Sequence, residues 1–380
     1  MPASSTLIIG AGPAGLAVAA CLERQGVAAT ILEQGRQVAS SWRGHYDRLH
    51  LHTDRARSGL PFVPLPRDYP RYPSRAQVID YLDCYAGALR AGIRFGHQVT
   101  SARPDGGGWA VGTQDTVCHA DHLVVATGYT REPYAPVWPG QDEYRGVLLH
   151  SSRYRNGRPF QGQRVLVIGF GNSAGEIAID LHEHGARVDL AVRGPVNVIP
   201  RELFGIPILA IGTLQRRLPT RLADALNRPL LRAVVGDLTR YGLRPSRDGT
   251  LTRIRRDARI PLIDVGTIRL IKQGAIGVRP GIERFTRDGV VFTNGSERPY
   301  DAVVLGTGYR PRVSGFLQDA AAALDAEGTP VVSGGESPVP GLWFCGFHVS
   351  PVGMLREIGR EAKAIGEAIA RAPKVRAARD

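Results

Sequence analysis

Two glycine-rich stretches in the sequence have residue types and spacings that can bind the pyrophosphate of a dinucleotide. The first fits the pattern G-x-G-x-x-G directly after a short apolar run, and its candidate residues are Gly10, Gly12, Pro13, Ala14 and Gly15. In this pattern the first glycine permits a tight turn, the second lets the backbone approach the pyrophosphate, and the third allows close helix packing. The N-terminus of the following helix adds N–H groups and a partial positive charge. We therefore predict a dinucleotide site at this turn.

The residues that complete this first site are expected at the ends of neighbouring strands. Glu33 lies 23 residues after Gly10 and ends the second apolar run, where a carboxylate can accept hydrogen bonds from ribose hydroxyls. A third buried-type run, His122–Tyr129, ends in Thr-Gly-Tyr. The further candidates for cofactor binding at this site are Gln34, Val99, Ala126, Thr127 and Gly128.

The second glycine-rich stretch repeats the first with two informative differences. Its candidate residues are Gly169, Gly171, Asn172, Ser173 and Ala174, so that alanine replaces the third glycine, which the pattern tolerates. Arg193 stands 24 residues after Gly169, at the position that we match to Glu33. A guanidinium there can bind a 2′-phosphate, which predicts a preference for NADPH; a solvated surface arginine is the alternative. Thr307 and Gly308, in a second Thr-Gly-Tyr sequence, are also assigned to cofactor binding.

Two dinucleotide sites in one chain imply that electrons pass between two cofactors, most economically a nicotinamide and a flavin. The four cysteines are scattered and form no C-x-x-C pair or zinc-ligand spacing; they are Cys21, Cys84, Cys118 and Cys345. A disulfide reductase of the thioredoxin-reductase type is therefore excluded, and no metal site is expected. An oxygen-using enzyme and a reductase that serves a partner remain.

A third set of residues resembles a family fingerprint. The sequence Tyr144-x-Gly146-x-x-x-His150-x-x-x-Tyr154 resembles the F-x-G-x-x-x-H-x-x-x-(Y/F) fingerprint of flavin-containing monooxygenases, with tyrosine in place of the leading phenylalanine. Tyr154 argues against the Baeyer–Villiger branch, which usually ends this fingerprint with tryptophan. In this family the fingerprint lies in an interdomain linker, so His150 is expected to have a structural role rather than that of a general base. Four longer stretches resemble the YUCCA-type enzymes: Ser40–His52, Tyr72–Ala86, Gly236–Leu243 and Ile260–Val278.

The resemblance implies an FAD- and NADPH-dependent monooxygenase. NADPH would reduce FAD, the reduced flavin would take up O2 as a C4a-(hydro)peroxyflavin, and one oxygen atom would pass to a small organic substrate. The substrate class that the resemblance implies is an aryl 2-oxo acid such as indole-3-pyruvate, oxidised with loss of CO2. The alternatives are N- or S-oxygenation in secondary metabolism and a flavoprotein electron-transfer reductase.

The resemblance also implies roles for residues near the flavin. His52 occupies the position at which related monooxygenases place an asparagine, so it is expected either to bond the flavin or peroxide or to be a polar wall residue. Asn172 is expected either to position NADP or to cap its helix, and these two residues are the catalytic candidates. Trp42 is expected either to shield the flavin or to be an ordinary buried aromatic residue. Gly346 and the helix that begins near Gly353 are expected to bring backbone N–H groups towards the flavin pyrimidine.

The elements that position these residues follow from the apolar pattern. In both glycine-rich regions an apolar strand, a turn, a helix and a second strand succeed one another, which predicts β-α-β units of parallel sheets buried on both faces. We therefore predict an α/β fold with two Rossmann-like dinucleotide-binding domains, the second inserted into the first. Residues 1–158 and 299–380 are assigned to the FAD-binding domain and residues 159–298 to the NADPH-binding domain. Residues 200–259 are expected to form a helical insertion, which either covers the cleft or forms a substrate pocket.

Composition limits the remaining functions. The chain has 380 residues and a net charge of +13, but only 3 of its 48 basic residues are lysine. Because the arginines are spread along the whole chain, we expect no nucleic-acid partner. No run of eighteen apolar residues occurs, so we expect no membrane span. The unpaired cysteines predict a reducing, cytoplasmic location, and a homodimer is compatible with the sequence.

Overall fold

Two five-stranded parallel sheets form the framework of the protein in the computed structural model, which describes residues 5–214 and 218–372. The strands of the first sheet, in spatial order, are Leu342–Phe344, His122–Val125, Thr6–Ile9, Ala29–Glu33 and Gly92–Phe95. The strands of the second sheet are Ile276–Arg279, Arg187–Ala191, Arg164–Ile168, Ala302–Leu305 and Val147–His150. The prediction of an α/β protein with parallel sheets is confirmed.

Each sheet contains a β-α-β unit that begins with one of the glycine-rich stretches. In the first sheet the helix Pro13–Arg24 connects the central strand to its neighbour, and in the second sheet the helix Asn172–Glu183 does the same. The central strand Thr6–Ile9 is buried along its whole length, and Arg164–Ile168 is buried except at its first residue. Continuous apolar strands of this kind are typical of parallel sheets that are covered on both faces.

The division of the chain between the two sheets differs from the boundaries predicted at 158/159 and 298/299. Val147–His150 and Ala302–Leu305, which the prediction placed in the first domain, pair with each other and extend the second sheet. The apolar composition of a strand indicates that the strand is buried but not which sheet it joins. The segments that cross between the sheets pair through Glu132–Pro133 and Tyr309–Arg310.

Smaller elements surround the two sheets. Two antiparallel sheets have three strands each, namely Val99–Asp105, Gly108–Thr113 and Val117–Ala120, and Ile282–Thr286, Gly289–Phe292 and Glu297–Pro299. Two strand pairs are Val198–Pro200 with Leu262–Asp264, and Glu202–Leu203 with Ile206–Pro207. Further helices are Ser40–Gly44, Arg75–Gly87 and Thr267–Lys272. Within the described ranges, no helix is long and apolar enough to cross a membrane.

The expected insertion at 200–259 contains helices that belong to neither sheet. They are Ile208–Leu214, Thr220–Val235 and Thr250–Asp257; residues 215–217 of this segment lie outside the described residues. Asp224 joins two of these helices, because its carboxylate accepts hydrogen bonds from the backbone N–H groups of Leu251 and Thr252, both at 2.9 Å. The carboxylate therefore caps the N-terminal turn of Thr250–Asp257 from the side.

The long helix Met354–Arg371 packs against Pro13–Arg24 on one face of the first sheet. Its buried apolar side chains recur every three or four residues and are Leu355, Ile358, Ala362, Ile365 and Ile369. At Gly366 the two helices are close enough that an added Cβ would lie 2.9 Å from the Cβ of Cys21. The two helices together therefore cover the face of the first sheet on which the helix of the glycine-rich turn lies.

The third position of each glycine-rich stretch shows how closely its helix is packed. A Cβ on Gly15 would lie 1.9 Å from the carbonyl oxygen of Gly10, which itself adopts a φ of +106°. In the second stretch Ala174 fits because the facing residue, Gly306, has no side chain: a Cβ on Gly306 would lie 2.7 Å from that of Ala174. Each unit thus has a close approach that requires a glycine, at Gly15 against the Gly10 carbonyl oxygen and at Gly306 against Ala174.

We predict that Gly15→Ala destabilises the protein by about 1–3 kcal/mol, because the new methyl group forces backbone atoms apart. The control is Gly171→Ala, at a position where an added Cβ meets no atom within 4 Å; we expect it to change stability little. Urea unfolding followed by tryptophan fluorescence measures both. Equal midpoints for Gly15→Ala and the wild-type protein would contradict the packing described here.

Candidate active site

A cavity of about 600 Å³ lies at the carboxyl ends of the first-sheet strands, which is where ligands bind in open α/β sheets. Its wall contains most of the residues predicted for the first site: Gly10, Gly12, Pro13, Ala14, Glu33, Gln34, Trp42, His52, Val99, Ala126, Thr127, Gly128, Gly346 and Gly353. Asn172 of the second glycine-rich stretch also lines it. Gly15 lies behind this wall, in contact with Gly10.

The glycine-rich turn leaves room for a ligand at its second glycine. A Cβ built on Gly12 meets no atom within 4 Å, so the space in front of this residue is open to the cavity. Gly12 is the N-cap of the helix Pro13–Arg24, and no side chain caps this end. The first N–H groups of that helix are therefore available to an anion.

Glu33 is buried at the end of its strand and is bonded to the turn beside it. Its Oε2 accepts a hydrogen bond from the backbone N–H of Ala11 at 2.8 Å, and its Oε1 accepts from the N–H of Gly35 at 2.8 Å. These bonds fix the carboxylate at the cavity wall. Because each carboxylate oxygen has two lone pairs, Glu33 can still accept a ribose hydroxyl.

His52 lies in the cavity wall, and behind it is a carboxylate that the sequence did not indicate. His52 Nε2 is 3.0 Å from Oε1 of Glu176, a residue of the helix Asn172–Glu183 that is 4% exposed. The hydroxyl of Tyr46 faces the same carboxylate and the side chain of Ser173. Burial, together with the nearby Glu176 carboxylate, raises the pKa of Tyr46 well above its ordinary value. A polar cluster thus joins the first-sheet loop to the second glycine-rich helix.

Asn172 does not cap its helix. It lies inside the first turn, with Gly171 as the N-cap, and its Oδ1 accepts a hydrogen bond from the backbone N–H of Ile263 at 2.7 Å. This bond fixes the side chain against the strand Leu262–Asp264 at the cavity wall. The positioning role expected for Asn172 is compatible with this place, whereas the capping alternative is wrong.

Arg193 is exposed and lies two residues beyond the strand Arg187–Ala191. One backbone hydrogen bond in each unit shows which residues of the two units correspond. The N–H of Gly10 donates to the carbonyl oxygen of Leu32 at 2.8 Å, and the N–H of Gly169 donates to the carbonyl oxygen of Ala191 at 3.0 Å. Arg193 therefore corresponds to the residue after Glu33. It lies 24 residues after Gly169, whereas Glu33 lies 23 residues after Gly10, and this difference explains why the two were matched one residue out. Arg193 still follows the carboxyl end of the strand that pairs with the strand before the second glycine-rich turn.

The backbone N–H of Gly346, which was expected to be directed towards the flavin pyrimidine, has a partner within the protein. It donates to Oε2 of the buried Glu361 at 2.6 Å, so it is already bonded within the protein. Burial raises the pKa of Glu361, and the Gly346 N–H opposes that shift. Gly353 remains at the cavity wall as the N-cap of Met354–Arg371, with a φ of +102°. This helix N-terminus is the group that faces the cavity here.

The fingerprint residues bond to structural partners on the elements of the second sheet. His150 is buried, its Nε2 donates to the carbonyl oxygen of Gly308 at 3.0 Å, and its Nδ1 accepts from the N–H of Ser152. Burial lowers the pKa of His150, which keeps the ring neutral. Tyr154 donates its hydroxyl to the buried carboxylate of Asp180 at 2.6 Å. These bonds give the fingerprint a structural role at the strand ends.

The insertion both covers the cavity and forms a second one beside it. Aliphatic residues that line the first cavity include Leu209, Ile254, Ile260 and Ile263. A second cavity of about 720 Å³ lies within residues 196–256 and shares Ile199, Leu209, Ile254 and Pro351 with the first. Its wall combines leucines with arginines, among them Arg221, Arg228 and Arg247. The position of the insertion is therefore compatible with both roles expected from the sequence, a cover over the cleft and a substrate pocket.

The residues that the sequence did not reveal depend on contacts between distant segments. Glu176 and Tyr46 are examples, and Arg131 is another: it lines the cavity, and its Nη1 is buried without a hydrogen-bond partner. Burial lowers the pKa of Arg131. The only sign of Glu176 in the sequence was a glutamate among small and apolar residues on the helix that follows the second glycine-rich turn.

The cavity fits a flavin dinucleotide better than a metal ion. Thr127 Oγ1 and Arg131 Nη1 are buried polar atoms without partners in its wall, and the space before Gly12 admits a close ligand. In the described ranges, no group of three or more histidine, cysteine, aspartate or glutamate side chains could bind a metal. Polar atoms of this kind match the phosphates and ribitol of FAD, and Trp42 offers an aromatic face for its ring.

The chain is similar to known proteins along most of its length. The family profile of the pyridine nucleotide-disulphide oxidoreductases matches residues 7–201. Indole-3-pyruvate monooxygenase YUCCA1 of Oryza sativa subsp. japonica is 41% identical over 342 residues, which cover 89% of this chain and 83% of the relative. Indole-3-pyruvate monooxygenase YUCCA6 of Arabidopsis thaliana is 40% identical and covers 86% of this chain and 80% of its own length.

Solved structures with the same fold include an oxidised steroid monooxygenase bound to NADP, with a TM-score of 0.77, 20% identity, and coverage of 96% of this chain and 85% of that one. All four cysteines of the present chain are free, and burial raises the pKa of Cys21 to about 11, which disfavours the thiolate that disulfide chemistry requires. The extent of identity with the plant enzymes shows that the chain belongs to the YUCCA-type flavin monooxygenases, a family of FAD- and NADPH-dependent oxidoreductases.

Proposed function

We propose that this monooxygenase oxidises an aryl 2-oxo acid, such as indole-3-pyruvate, to the shortened acid and CO2. The observation that carries the proposal is the joined pair of cavities, in which a polar dinucleotide site continues into an aliphatic pocket with arginines. The balanced reaction consumes one 2-oxo acid, O2, NADPH and a proton, and it yields one carboxylic acid, CO2, water and NADP+. The names of the plant relatives support the substrate class.

We assign FAD to the first cavity and NADPH to the second glycine-rich turn, so that the second dinucleotide domain is inserted into the first. FAD held by this cavity would supply the acceptor for hydride and the centre that reacts with O2. The pyrophosphate of FAD is placed before Gly12 and the helix Pro13–Arg24, and a ribose hydroxyl at Glu33. The remaining wall residues surround the rest of the cofactor: Gln34, Val99, Ala126, Thr127, Gly128 and Gly353.

The second turn supplies the corresponding groups for NADPH. We place the pyrophosphate at Gly171, where an added Cβ meets no atom within 4 Å, and at the helix Asn172–Glu183 that follows. Arg193 is the group proposed for the 2′-phosphate. Thr307 and Gly308 lie at the neighbouring strand end, where Gly308 has a φ of +85°.

Trp42 and His52 both line the first cavity. Trp42 lies on the helix Ser40–Gly44 and is partly buried against the first-sheet core. His52 is fixed from behind by Glu176, at 3.0 Å. We propose that these side chains exclude water from the flavin ring and that His52 contacts the reacting oxygen. A dry site of this kind suppresses hydrolysis and proton leakage.

The second cavity is the proposed substrate pocket. Leu230 and Leu231 supply apolar surface for an aromatic side chain, and Arg221, Arg228 or Arg247 can pair with a carboxylate. We further propose a cytoplasmic enzyme, since its cysteines are free, and a homodimer stays a prediction.

The first prediction concerns FAD. Gly12→Ala should fold normally but lose most of its FAD, because the methyl group would occupy the space through which the backbone approaches the pyrophosphate. The ratio of flavin absorbance to protein absorbance after purification measures this. Gly87→Ala, at an equally open position on a distant helix, is the control. A fully flavinated Gly12→Ala protein would move the pyrophosphate away from this turn.

The second prediction concerns NADPH. Arg193→Ala should raise the KM for NADPH by roughly one to two powers of ten, because a charged hydrogen bond contributes about 1.5–3 kcal/mol. The KM for NADH should change little, since NADH lacks the 2′-phosphate. Arg187→Ala, at the exposed opposite end of the same strand, is the control. Equal losses with both nucleotides would show that Arg193 is structural.

The third prediction concerns the substrate. With indole-3-pyruvate labelled at its carboxyl carbon, the enzyme should release labelled CO2 in step with NADPH oxidation. Under 18O2, one labelled oxygen should enter the product acid. An amine and a thioether tested in parallel should give little product. Oxygenation of these two without CO2 release from the 2-oxo acid would replace the proposal with N- or S-oxygenation.

A further inference from the structure

The helix Thr220–Val235 of the insertion exposes a row of apolar side chains. The members of this apolar row recur every four residues and are Leu222, Leu226, Leu230 and Val234. Residues at this spacing form one ridge along a helix, and each of the four is between 37% and 58% exposed. Aliphatic residues in a regular row usually mark the side of a helix that packs on a core. In this helix the row faces outwards instead.

Residues outside the row attach the helix to the rest of the insertion. Ala223 is fully buried, and the carboxylate of Asp224 accepts hydrogen bonds from the first turn of Thr250–Asp257, both at 2.9 Å. These contacts fix the rotation of the helix about its own axis. The exposure of the apolar row is therefore a property of the packed helix.

The exposed apolar surface of the protein is concentrated in this region. Among the described residues, eight of the fifteen large apolar side chains that are exposed lie between residues 204 and 260. The most exposed of them is Phe204, at 85%, in the turn between the strands Glu202–Leu203 and Ile206–Pro207. Single exposed apolar residues are normal on a protein surface, whereas a concentration of them marks a site of interaction with a protein or a membrane.

The charge of the insertion indicates the chemistry of the partner. Residues 200–259 contain thirteen arginines and five aspartate or glutamate residues, a net charge of +8, whereas the other 320 residues carry only +5. Three of these arginines are exposed on the helix that carries the apolar row, namely Arg221, Arg228 and Arg232. Leucines on one side and arginines on another are typical of helices that lie in the headgroup region of an anionic bilayer.

Other partners match this surface less well. Two copies of the chain that met at this helix would bring like charges together, which opposes pairing. The apolar row also offers four side chains, whereas a stable protein interface takes roughly 20–30 residues from each partner. A nucleic acid would neutralise the arginines but would leave the apolar row in water. An anionic lipid surface satisfies both the charges and the row.

We propose that the insertion binds an anionic lipid surface through the apolar row and the neighbouring arginines. The aliphatic side chains enter the headgroup region, and the guanidinium groups pair with lipid phosphates. Contact of this kind involves one leaflet and requires no membrane-spanning helix. Leu230 also lines the second cavity, so the bound enzyme holds an edge of that cavity at the lipid surface. The proposal does not depend on the identity of the substrate.

Sedimentation of the flavin-containing enzyme with sucrose-loaded lipid vesicles tests the proposal directly. The vesicles contain either equal parts of phosphatidylcholine and phosphatidylglycerol or phosphatidylcholine alone. We expect binding to the anionic vesicles to be stronger by roughly tenfold or more, since each arginine near an anionic surface contributes about a factor of five. Raised salt should weaken this binding, because it screens the charges. An enzyme that stays in the supernatant with anionic vesicles would overturn the proposal.

Two substitutions in the row test which surface makes the contact. Leu222→Ser with Leu226→Ser should lower binding to anionic vesicles by roughly tenfold or more, because transfer of leucine out of water is lost. The walls of the two cavities, as the described residues form them, include neither leucine, so FAD content and NADPH oxidation should stay unchanged. Val117→Ser with Val137→Ser, at exposed valines outside the insertion, is the control and should bind like the wild type. Unchanged binding of the leucine variant would contradict docking through the row.

A charge variant tests the contribution of the arginines. Arg228→Gln with Arg232→Gln should weaken binding to anionic vesicles by roughly tenfold or more. Arg158→Gln with Arg187→Gln removes the same charge from exposed positions outside the insertion and should weaken binding far less. Equal losses in the two variants would show that net charge alone attracts the protein, and the proposed surface would be wrong.

Light scattering in the absence of lipid separates the proposal from self-association. We expect the leucine variant and the wild-type enzyme to have the same mass in solution. A wild-type dimer that the leucine variant converts to a monomer, with no binding of either to anionic vesicles, would make the row an interface between two copies and overturn the proposal. Should the leucine variant fail to fold, the wild-type comparison of anionic with neutral vesicles still decides.

Discussion

The close contact between a helix and the turn that precedes it is the constraint on which this structure depends. At Gly15 the helix approaches the carbonyl oxygen of Gly10 so closely that no side chain fits, because a Cβ would lie 1.9 Å away. The contact places the helix N-terminus at the carboxyl edge of the first sheet, in front of a cavity. Glu33 ties the neighbouring strand to the same turn through the Ala11 N–H. One steric requirement thus positions the helix N-terminus and the Glu33 carboxylate together at the cavity.

The second unit meets the same requirement differently, and the difference has consequences. Its helix carries Ala174 at the third position of the stretch, and this residue packs against Gly306 at the end of the neighbouring strand. The helix that follows does more than face a nucleotide, since its first two turns carry Asn172 and Glu176 towards the first-sheet side. The first cavity is therefore completed by residues from both sheets, as an enzyme that passes a hydride between two dinucleotides requires.

The parts of this structure that the sequence predicted are those that local sterics determine. The two glycine-rich turns, their helices and the apolar strands before them were readable because each depends on neighbours within a few residues. The sheet to which Val147–His150 and Ala302–Leu305 belong was not readable, because strand pairing is a long-range contact. The matching of Arg193 with Glu33 was one residue out for a related reason: the strand bond that sets the register is visible only in the structure.

The candidate site shows the same division. Gly12, Glu33 and His52 were located at the cavity wall from motif and resemblance, whereas Gly346 had a different hydrogen-bond partner, Glu361, which the chain supplies 15 residues later. Glu176 could not be recognised, because a glutamate on a helix becomes a buried charge only when another segment covers it. His52 and Tyr46 provide that cover from a loop more than a hundred residues away. Since the carboxylate is held by one half of the protein and its donors by the other, any separation of the two sheets would expose an unpaired charge. The contact between His52 and Glu176 therefore also opposes opening of the cavity at this point.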